Sequence, residues 1–463
     1  MLDEIKRNKK YTIISATYNV ERYLDKFFKT IVAQSLIFEK YICIIIVDDG
    51  STDNSQNIIK KWIQKYPQNI QYIKKENGGQ SSARNLGLLH VKTKWVTFID
   101  PDDFVSNQYF ENVDTFLKKN KTKSISLVSC KLIYYFEHLK TPIDYHPLRY
   151  NFREKESLVS VENLEEQIQL SASATFFNTK LLHNLKLKFN SDIKPNFEDG
   201  HFIGMYLLAY PKTYMGFLSK SKYFYRKRRN STSTIDQSWY KAAKYDEVLR
   251  LGYLDLFKKF KHRKGYVPIF IQRTILYDLM WHYKRIINTP NITNHLTNNQ
   301  KERYLALLSK LFEYIDSDTI MNFELAGCLF YHKIAFMSLY KQDPLLHQMI
   351  YIDRVLKNKS MIYFHYYSYN HTSCNIYQDG TIIKGLLIKK EEISFMSEKF
   401  IIRYDLALHL DKNAGELKIE INGLTTYFND DIKKDIILIR NIKTKQLAKV
   451  SNTFKSIARK VFL

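Results

Sequence analysis

Three short acidic clusters carry the chemistry this chain can do. The first is Val47-Asp48-Asp49-Gly50-Ser51, directly after an apolar run. A carboxylate at a strand's end can accept the N–H of a nucleobase, or equally cap a following helix. The second is Ile99-Asp100-Pro101-Asp102-Asp103, again after an apolar run. Three carboxylates packed so closely repel one another and favour a counter-cation. Mg²⁺ and Mn²⁺ take oxygen ligands and bridge diphosphates, so this cluster suits a metal–diphosphate site; the alternative is a solvated acidic turn. The third is Phe197-Glu198-Asp199-Gly200. A carboxylate there could deprotonate a hydroxyl, although Glu-Asp pairs also commonly open helices.

Between the first two clusters lies Asn77-Gly78-Gly79-Gln80-Ser81-Ser82-Ala83-Arg84-Asn85-Leu86-Gly87. Paired glycines let backbone approach a ligand closely, and Arg84 could reach a phosphate. The dinucleotide-binding glycine pattern is absent after the first strand, and so is a phosphate loop ending in Gly-Lys-Ser/Thr.

The elements that position these clusters alternate in type. Strands are predicted at Tyr11–Ala16, Ile42–Val47, Gln71–Lys74 and Trp95–Ile99, each rich in β-branched or aromatic residues. Helices are predicted at Glu21–Gln34, Asp53–Lys65 and Gln80–His90 from apolar positions three and four apart, with Ser51-Thr52-Asp53 as an N-cap cluster. This repetition predicts a parallel α/β sheet with its ligand site at the carboxyl ends of the strands. Residues 128–229 read as mixed α and β and end in Tyr225-Arg226-Lys227-Arg228-Arg229. From Gln237 to about Leu356 the pattern is helical, Val267–Ile287 being one example. Met361 to about Phe428 alternates like strands, with turn signals at Gln378-Asp379-Gly380, Asn413-Ala414-Gly415 and Asn422-Gly423. In the tail, Leu447, Val450, Phe454, Ile457 and Val461 share one helical face surrounded by lysine and arginine. Such a helix can lie on an acidic membrane surface or dock with a solvated basic side.

Composition sets the outer bounds. A chain of 463 residues predicts two or three domains, and 45% hydrophobic with 14% aromatic content excludes a disordered protein. A formal charge of +24 implies anionic partners: nucleic acid, acidic lipid, a phosphate-bearing polymer or nucleotide donors. Basic residues are spread along the chain without a nucleic-acid reading motif, which disfavours a nucleic-acid-binding protein. A nucleotidyltransferase is disfavoured by the missing glycine-rich Lys/Arg loop at the first strand. Cys43, Cys130, Cys328 and Cys374 have no metal or disulfide spacing and suggest a reducing compartment. Neither a signal peptide nor a charge-free spanning run is present, so the expected location is cytoplasmic, with peripheral contact at the inner face of the membrane.

Ala16-Thr17-Tyr18-Asn19, Val47-Asp48-Asp49-Gly50-Ser51-Thr52-Asp53, Asn77-Gly78-Gly79 with Ala83-Arg84-Asn85, and Asp100-Pro101-Asp102-Asp103, in this order, closely resemble inverting glycosyltransferase family 2. The resemblance continues more loosely through Glu198-Asp199 to Ser231, and so covers roughly residues 9–235. It implies a GT-A (Rossmann-like) α/β domain over 1–235; beyond it, the residue pattern alone predicts a helical region (236–356), a small all-β module (357–440) and the basic C-terminal helix (441–463). It also implies a metal-dependent, inverting transfer from a UDP-sugar, with Mn²⁺ or Mg²⁺ as cofactor. Ala16, Thr17, Tyr18 and Asp49 would hold the uridine, Tyr18 stacking on the base and Asp49 accepting its N–H. Glu21, Asn77, Gly79 and Arg84 would lie near the ribose, diphosphate or carboxylate cluster. Asp100, Asp102 and Asp103 match the metal motif, Asp102 or Asp103 being the direct ligand. Asp199 matches the catalytic base, with Glu198 toward the acceptor, while Arg226, Arg228 and Ser231 fall on a loop closing over the diphosphate. Ala16 stands where the family usually has Pro.

The acceptor is expected to be an anionic cell-surface polysaccharide, capsule or teichoic-acid-like; a lipid-linked oligosaccharide or lipooligosaccharide at the inner membrane is the alternative. The β module is expected to bind acceptor or to drive homo-oligomerisation.

Overall fold

The computed structural model describes residues 9–228, 234–341, 343–356, 359–370, 373–410 and 416–428. Ser231, the turn at 413–415 and the tail helix 441–463 lie outside them. The chain divides into two compact units: residues 1–282 with 292–319, and residues 283–291 with 320–463. The region read as one helical segment is therefore shared between them.

The first unit opens as the alternating pattern predicts: β1 (Tyr11–Thr17), α1 (Glu21–Val32), β2 (Ile42–Asp48), α2 (Ser55–Lys65), β3 (Ile70–Lys74), α3 (Gln80–Leu89) and β4 (Trp95–Phe98). β1 pairs in parallel with β2 and β4, and β2 with β3. Strands of a parallel sheet are covered on both faces and read as continuous apolar runs. Ile42-Cys43-Ile44-Ile45-Ile46-Val47 is such a run, with all but Cys43 buried. α1 buries Leu24, Phe27, Phe28 and Ile31, the three- and four-residue spacing of one helical face, and Phe28 stacks on Trp62 of α2 at 5.1 Å. The cap position is Asn54, one residue after the predicted cluster, and its side chain makes no cap bond; Asp53 supports the turn before it by accepting the Ser55 N–H at 3.0 Å.

The sheet then turns mixed. β5 (Phe104–Val105), α4 (Tyr109–Lys119), β6 (Ile125–Phe136), β7 (Thr141–Ile143), β8 (Glu156–Ser160), β9 (Thr175–Asn178), α5 (Glu198–Ala209) and β10 (Tyr214–Lys227) follow. The strand order is β3-β2-β1-β4-β9-β6-β10-β5, with β7 beside β6 and β8 beside β10. Because β2 and β3 lie to one side of β1 and β4 to the other, the carboxyl ends of β1, β2 and β4 meet at the topological switch point. A ligand crevice is expected there. Helices α6 (Asp255–Lys264), α7 (Ile269–Ile286) and α8 (Asn298–Phe312) come next; α7 falls within two residues of each predicted end.

Among the described residues, the second unit contains α9 (Phe330–Tyr340) and eight strands: β11 (Gln348–Leu356), β12 (Met361–Ser368), β13 (Cys374–Gln378), β14 (Thr381–Ile383), β15 (Leu386–Phe395), β16 (Glu398–His409), β17 (Leu417–Ile421) and β18 (Leu424–Phe428). They form one sheet in the order β14-β13-β17-β18-β11-β12-β16-β15. Its core alternates as sheet geometry requires: Ile362, Phe364 and Tyr366 of β12 pack with Ile402, Tyr404, Leu406 and Leu408 of β16.

Candidate active site

The loops after β1 and β2 are sewn together. Asn19, at φ +49°, accepts from Thr52 N at 2.8 Å and donates its own N–H to Ser51 Oγ at 3.1 Å. Glu21 N donates to Asp53 at 3.0 Å, and the Glu21 carboxylate accepts from Asn54 N at 2.7 Å. Val20 N donates to Ser55 Oγ at 3.1 Å. These exchanges fix the backbone on either side of Tyr18, whose ring is 51% exposed. An exposed ring on a rigid loop is a stacking surface without further reorganisation. Ala16 is half-buried; Thr17 is wholly buried and its carbonyl accepts Asp49 N at 2.8 Å.

The two aspartates at the end of β2 divide their labour. Asp48 is buried and accepts from Ser51 N (2.8 Å) and Tyr72 Oη (2.6 Å). Asp49 accepts from Lys75 Nζ (2.6 Å), Gly78 N (3.0 Å) and Gly79 N (2.7 Å). It therefore anchors the 75–79 loop, which explains why that loop needs Gly79 at φ +87°. Asn77 lies in the same loop, its N–H 3.2 Å from where a Cβ on Gly50 would sit.

The three carboxylates after β4 point to different partners. Asp103 is 2% exposed and turned into the fold, where it accepts from Tyr223 Oη at 2.8 Å and Arg226 N at 2.7 Å. Burial and the neighbouring Asp102 and Asp100 hold its carboxyl well above the usual range. Asp103 was one of two sequence candidates for the direct metal ligand; its geometry is that of a buried strut between β4 and β10. Asp102 is partly exposed and ion-paired with Arg228, while its carbonyl accepts from Arg226 Nε at 2.6 Å. Burial and Asp100 raise the Asp102 carboxyl, against the pull of Arg228. Arg226 and Arg228 both lie over the Tyr23 ring, at 4.9 and 5.1 Å.

Arg84 joins the second cluster to the third. Its guanidinium, 2% exposed, donates to Asp199 Oδ1 at 2.6 Å and to Asp100 Oδ1 at 2.9 Å. Ser173 Oγ donates to Asp100 Oδ2 at 2.9 Å, Gln80 Nε2 to Asp100 Oδ1 at 3.0 Å, and Ala172 N to Asp199 Oδ2 at 2.9 Å. Phe98 and Phe189 flank the guanidinium carbon at 5.6 and 5.4 Å. Burial raises the Asp199 carboxyl while Arg84 opposes it; burial and Asp199 push Glu198 up to about 7. The pair opens α5 behind Phe197, which holds φ +80° with its ring edge-on to Tyr253 at 4.5 Å. A bulky residue in that conformation persists only where its surroundings over-determine it, a feature that clusters at functional sites.

The fold thus gathers Asp100, Asp102, Asp199, Glu198, Arg84, Arg226 and Arg228 beyond the carboxyl ends of the strands. Sequence reasoning missed Lys75, Ser173 and Tyr223. Each acts through one hydrogen bond to a carboxylate remote in sequence, and no local pattern marks it. In the second unit, Asp353, His365 and Asp405 bring ligand atoms within 4.8 Å of one another. Arg403 lies 2.7 Å from Asp405 and 3.7 Å from Asp353.

Residues 12–161 match the Glycosyl transferase family 2 domain. The N-terminal part of this chain is a family 2 glycosyltransferase domain. Its fold is GT-A, in keeping with a TM-score of 0.54 at 18% identity to Staphylococcus aureus TarS residues 1–349 in complex with UDP-GlcNAc. That alignment covers 71% of this chain and 87% of the TarS one. The minor teichoic acid biosynthesis protein GgaB of Bacillus subtilis is 32% identical over 323 residues, which is 69% of this chain but 34% of GgaB. GgaA of the same organism is 28% identical over 82% of this chain and 79% of GgaA. The chain thus spans about a third of one of these relatives and most of the other. Among the described residues no helix is long and apolar enough to cross a membrane.

Proposed function

We propose that this protein is an inverting glycosyltransferase that moves a hexosyl or N-acetylhexosaminyl group from a UDP-sugar to a hydroxyl of an anionic, teichoic-acid-like polymer. The observation that carries the reading is the Arg84 bridge, which sets Asp199 beside the Asp100–Asp102 carboxylates at the switch point of the sheet. A proton acceptor and a cation-attracting cluster are needed side by side for displacement of a nucleoside diphosphate. The donor class is supported by the UDP-GlcNAc complex of TarS, and the acceptor class by the names of GgaA and GgaB.

In this reading, Tyr18 stacks on the uracil and the 75–79 loop held by Asp49 closes over the nucleoside. The partly exposed carboxylates of Asp102 and Asp100 fit Mn²⁺ or Mg²⁺, whereas the buried Asp103 supports the turn that presents them. Bound there, the cation would neutralise charge on the leaving diphosphate. Arg228 then exchanges Asp102 for the diphosphate, and Arg226 keeps the strand end in place. Asp199 accepts the acceptor hydroxyl's proton as that oxygen bonds the anomeric carbon from the face opposite the leaving group. The bond from that carbon to the diphosphate oxygen breaks, and the configuration inverts. A carboxylate made more basic by burial suits this work at neutral pH. A nucleotide-sugar donor supports the cytoplasmic location expected from the sequence.

Asp199→Asn is expected to lower transfer by about 10²–10⁴-fold while leaving calorimetric UDP-sugar binding nearly intact. Substantial residual transfer would remove Asp199 from the role of base.

A further inference from the structure

We infer that strand β15 is a dimer interface at which two copies of this chain join edge to edge. β15 ends the eight-stranded sheet and, among the described residues, pairs only with β16. The opposite edge, β14, is three residues long, whereas β15 has ten. A long edge is a template for another strand, and proteins usually blunt it. This one breaks register with β16 only between Leu387 and Lys389 and between Ile393 and Ser394, runs regularly from Lys389 to Ile393, and displays Leu386, Leu387 and Ile388 consecutively, at 68%, 53% and 52% exposure.

The charge order says what fits. β15 reads Leu386-Leu387-Ile388-Lys389-Lys390-Glu391-Glu392-Ile393, and Lys389 to Glu392 are mostly exposed. In an antiparallel pair directly opposed residues share a face, so a two-fold axis normal to the sheet must pass through a residue. With the axis at Lys390, Lys389 of each copy faces Glu391 of the other; with the axis at Glu391, Lys390 faces Glu392. Either register makes two Lys–Glu pairs, and the like pair on the axis is flanked diagonally by opposite charge. Parallel pairing in register would set lysine on lysine. Lysines normally guard an edge; here Lys389 pairs with Glu391 of its own strand at 2.7 Å, and a second copy of this sequence can exchange that partner across the seam. The free edge has a defined end: Asn288 exchanges hydrogen bonds with Ser394 N (2.8 Å) and Ser394 O (3.0 Å), leaving residues 386–393 for the partner.

Sedimentation of the full chain over a concentration series tests this. The wild type should approach twice the monomer mass. Lys389→Glu/Lys390→Glu and Glu391→Lys/Glu392→Lys, each placing like charges throughout, should each weaken self-association by roughly tenfold or more. Mixed one to one, the two variants should recover the wild-type association, which generally damaged proteins could not do. If either variant fails to fold, Lys390→Cys and Glu391→Cys replace them: whichever residue lies on the axis should form a disulfide with its own counterpart. A monomeric wild type overturns the proposal, including one that dimerises only after residues 429–463 are removed. So do variants that associate as the wild type does, a mixture that fails to recover, or the absence of a self-disulfide at both positions.

Discussion

Asp102 and Asp103 are adjacent carboxylates with opposite surroundings, and their substitution should separate stability from ligand binding. Asp103→Ala leaves the Tyr223 hydroxyl and the Arg226 N–H buried without their acceptor. An orphaned buried polar group costs about 1–3 kcal/mol, so this variant should lower the melting temperature clearly. Asp102→Ala removes a partly exposed carboxylate whose partner Arg228 can turn to solvent, so its melting temperature should stay near wild type. Calorimetric UDP-sugar binding should then become insensitive to Mn²⁺ in Asp102→Ala alone. If Asp103→Ala proved the stable variant with lost Mn²⁺ dependence, the two assignments would have to be exchanged. The acidic motif announces its chemistry in sequence because repelling carboxylates demand a reason. Which of its members faces inward depends on Tyr223 and the end of β10, more than a hundred residues away, and no spacing rule reaches that far.

The elements were legible to different depths. β1 to β4 and α1 to α3 stand within a few residues of the expected positions, since parallel strands are continuously apolar and their helices strictly amphipathic. The mixed half of the sheet was not: β9, four residues long, inserts between β4 and β6, a placement dictated by tertiary pairing. In the second unit the alternation of β12 and β16 was visible, but the order of eight strands was not. The close approach of α3 to β1 was likewise hidden, and it positions the site. A Cβ on Gly87 would lie 2.6 Å from Ile14 Cγ2, so α3 packs on the sheet through that glycine. Gly87→Ala must push α3 outward or crowd Ile14, costing about 1–3 kcal/mol. Arg84 lies one helical turn away on α3, so its bonds to Asp100 and Asp199 should loosen as well. The expected outcome is a lower melting temperature together with a fall in kcat greater than any rise in donor KM. A fall in stability with unaltered turnover of the remaining folded enzyme would show that the helix position is not what holds the bridge.

Across the whole molecule the surplus of positive charge, +24, exceeds what one nucleotide donor needs. In the proposed reaction the UDP-sugar is met by a local constellation in which Arg84 and Arg228 are already balanced against Asp100, Asp199 and Asp102. Charge distributed over the rest of the chain acts at longer range, raising the encounter rate and local concentration of an extended polyanion. Such attraction falls off over a Debye length, about 10 Å at 0.1 M ionic strength and 3 Å at 1 M. Contacts inside the active site are screened far less. Salt should therefore divide the two substrates: kcat/KM for a phosphate-bearing polymer should drop steeply between these ionic strengths, while hydrolysis of the UDP-sugar without acceptor changes little. A neutral oligosaccharide acceptor should show the flat dependence of the donor. If transfer to the polymer proved equally flat, the surplus charge would have to serve something other than the acceptor, such as an acidic membrane surface, and vesicles containing anionic lipid would then compete with nothing in the assay but bind the protein directly.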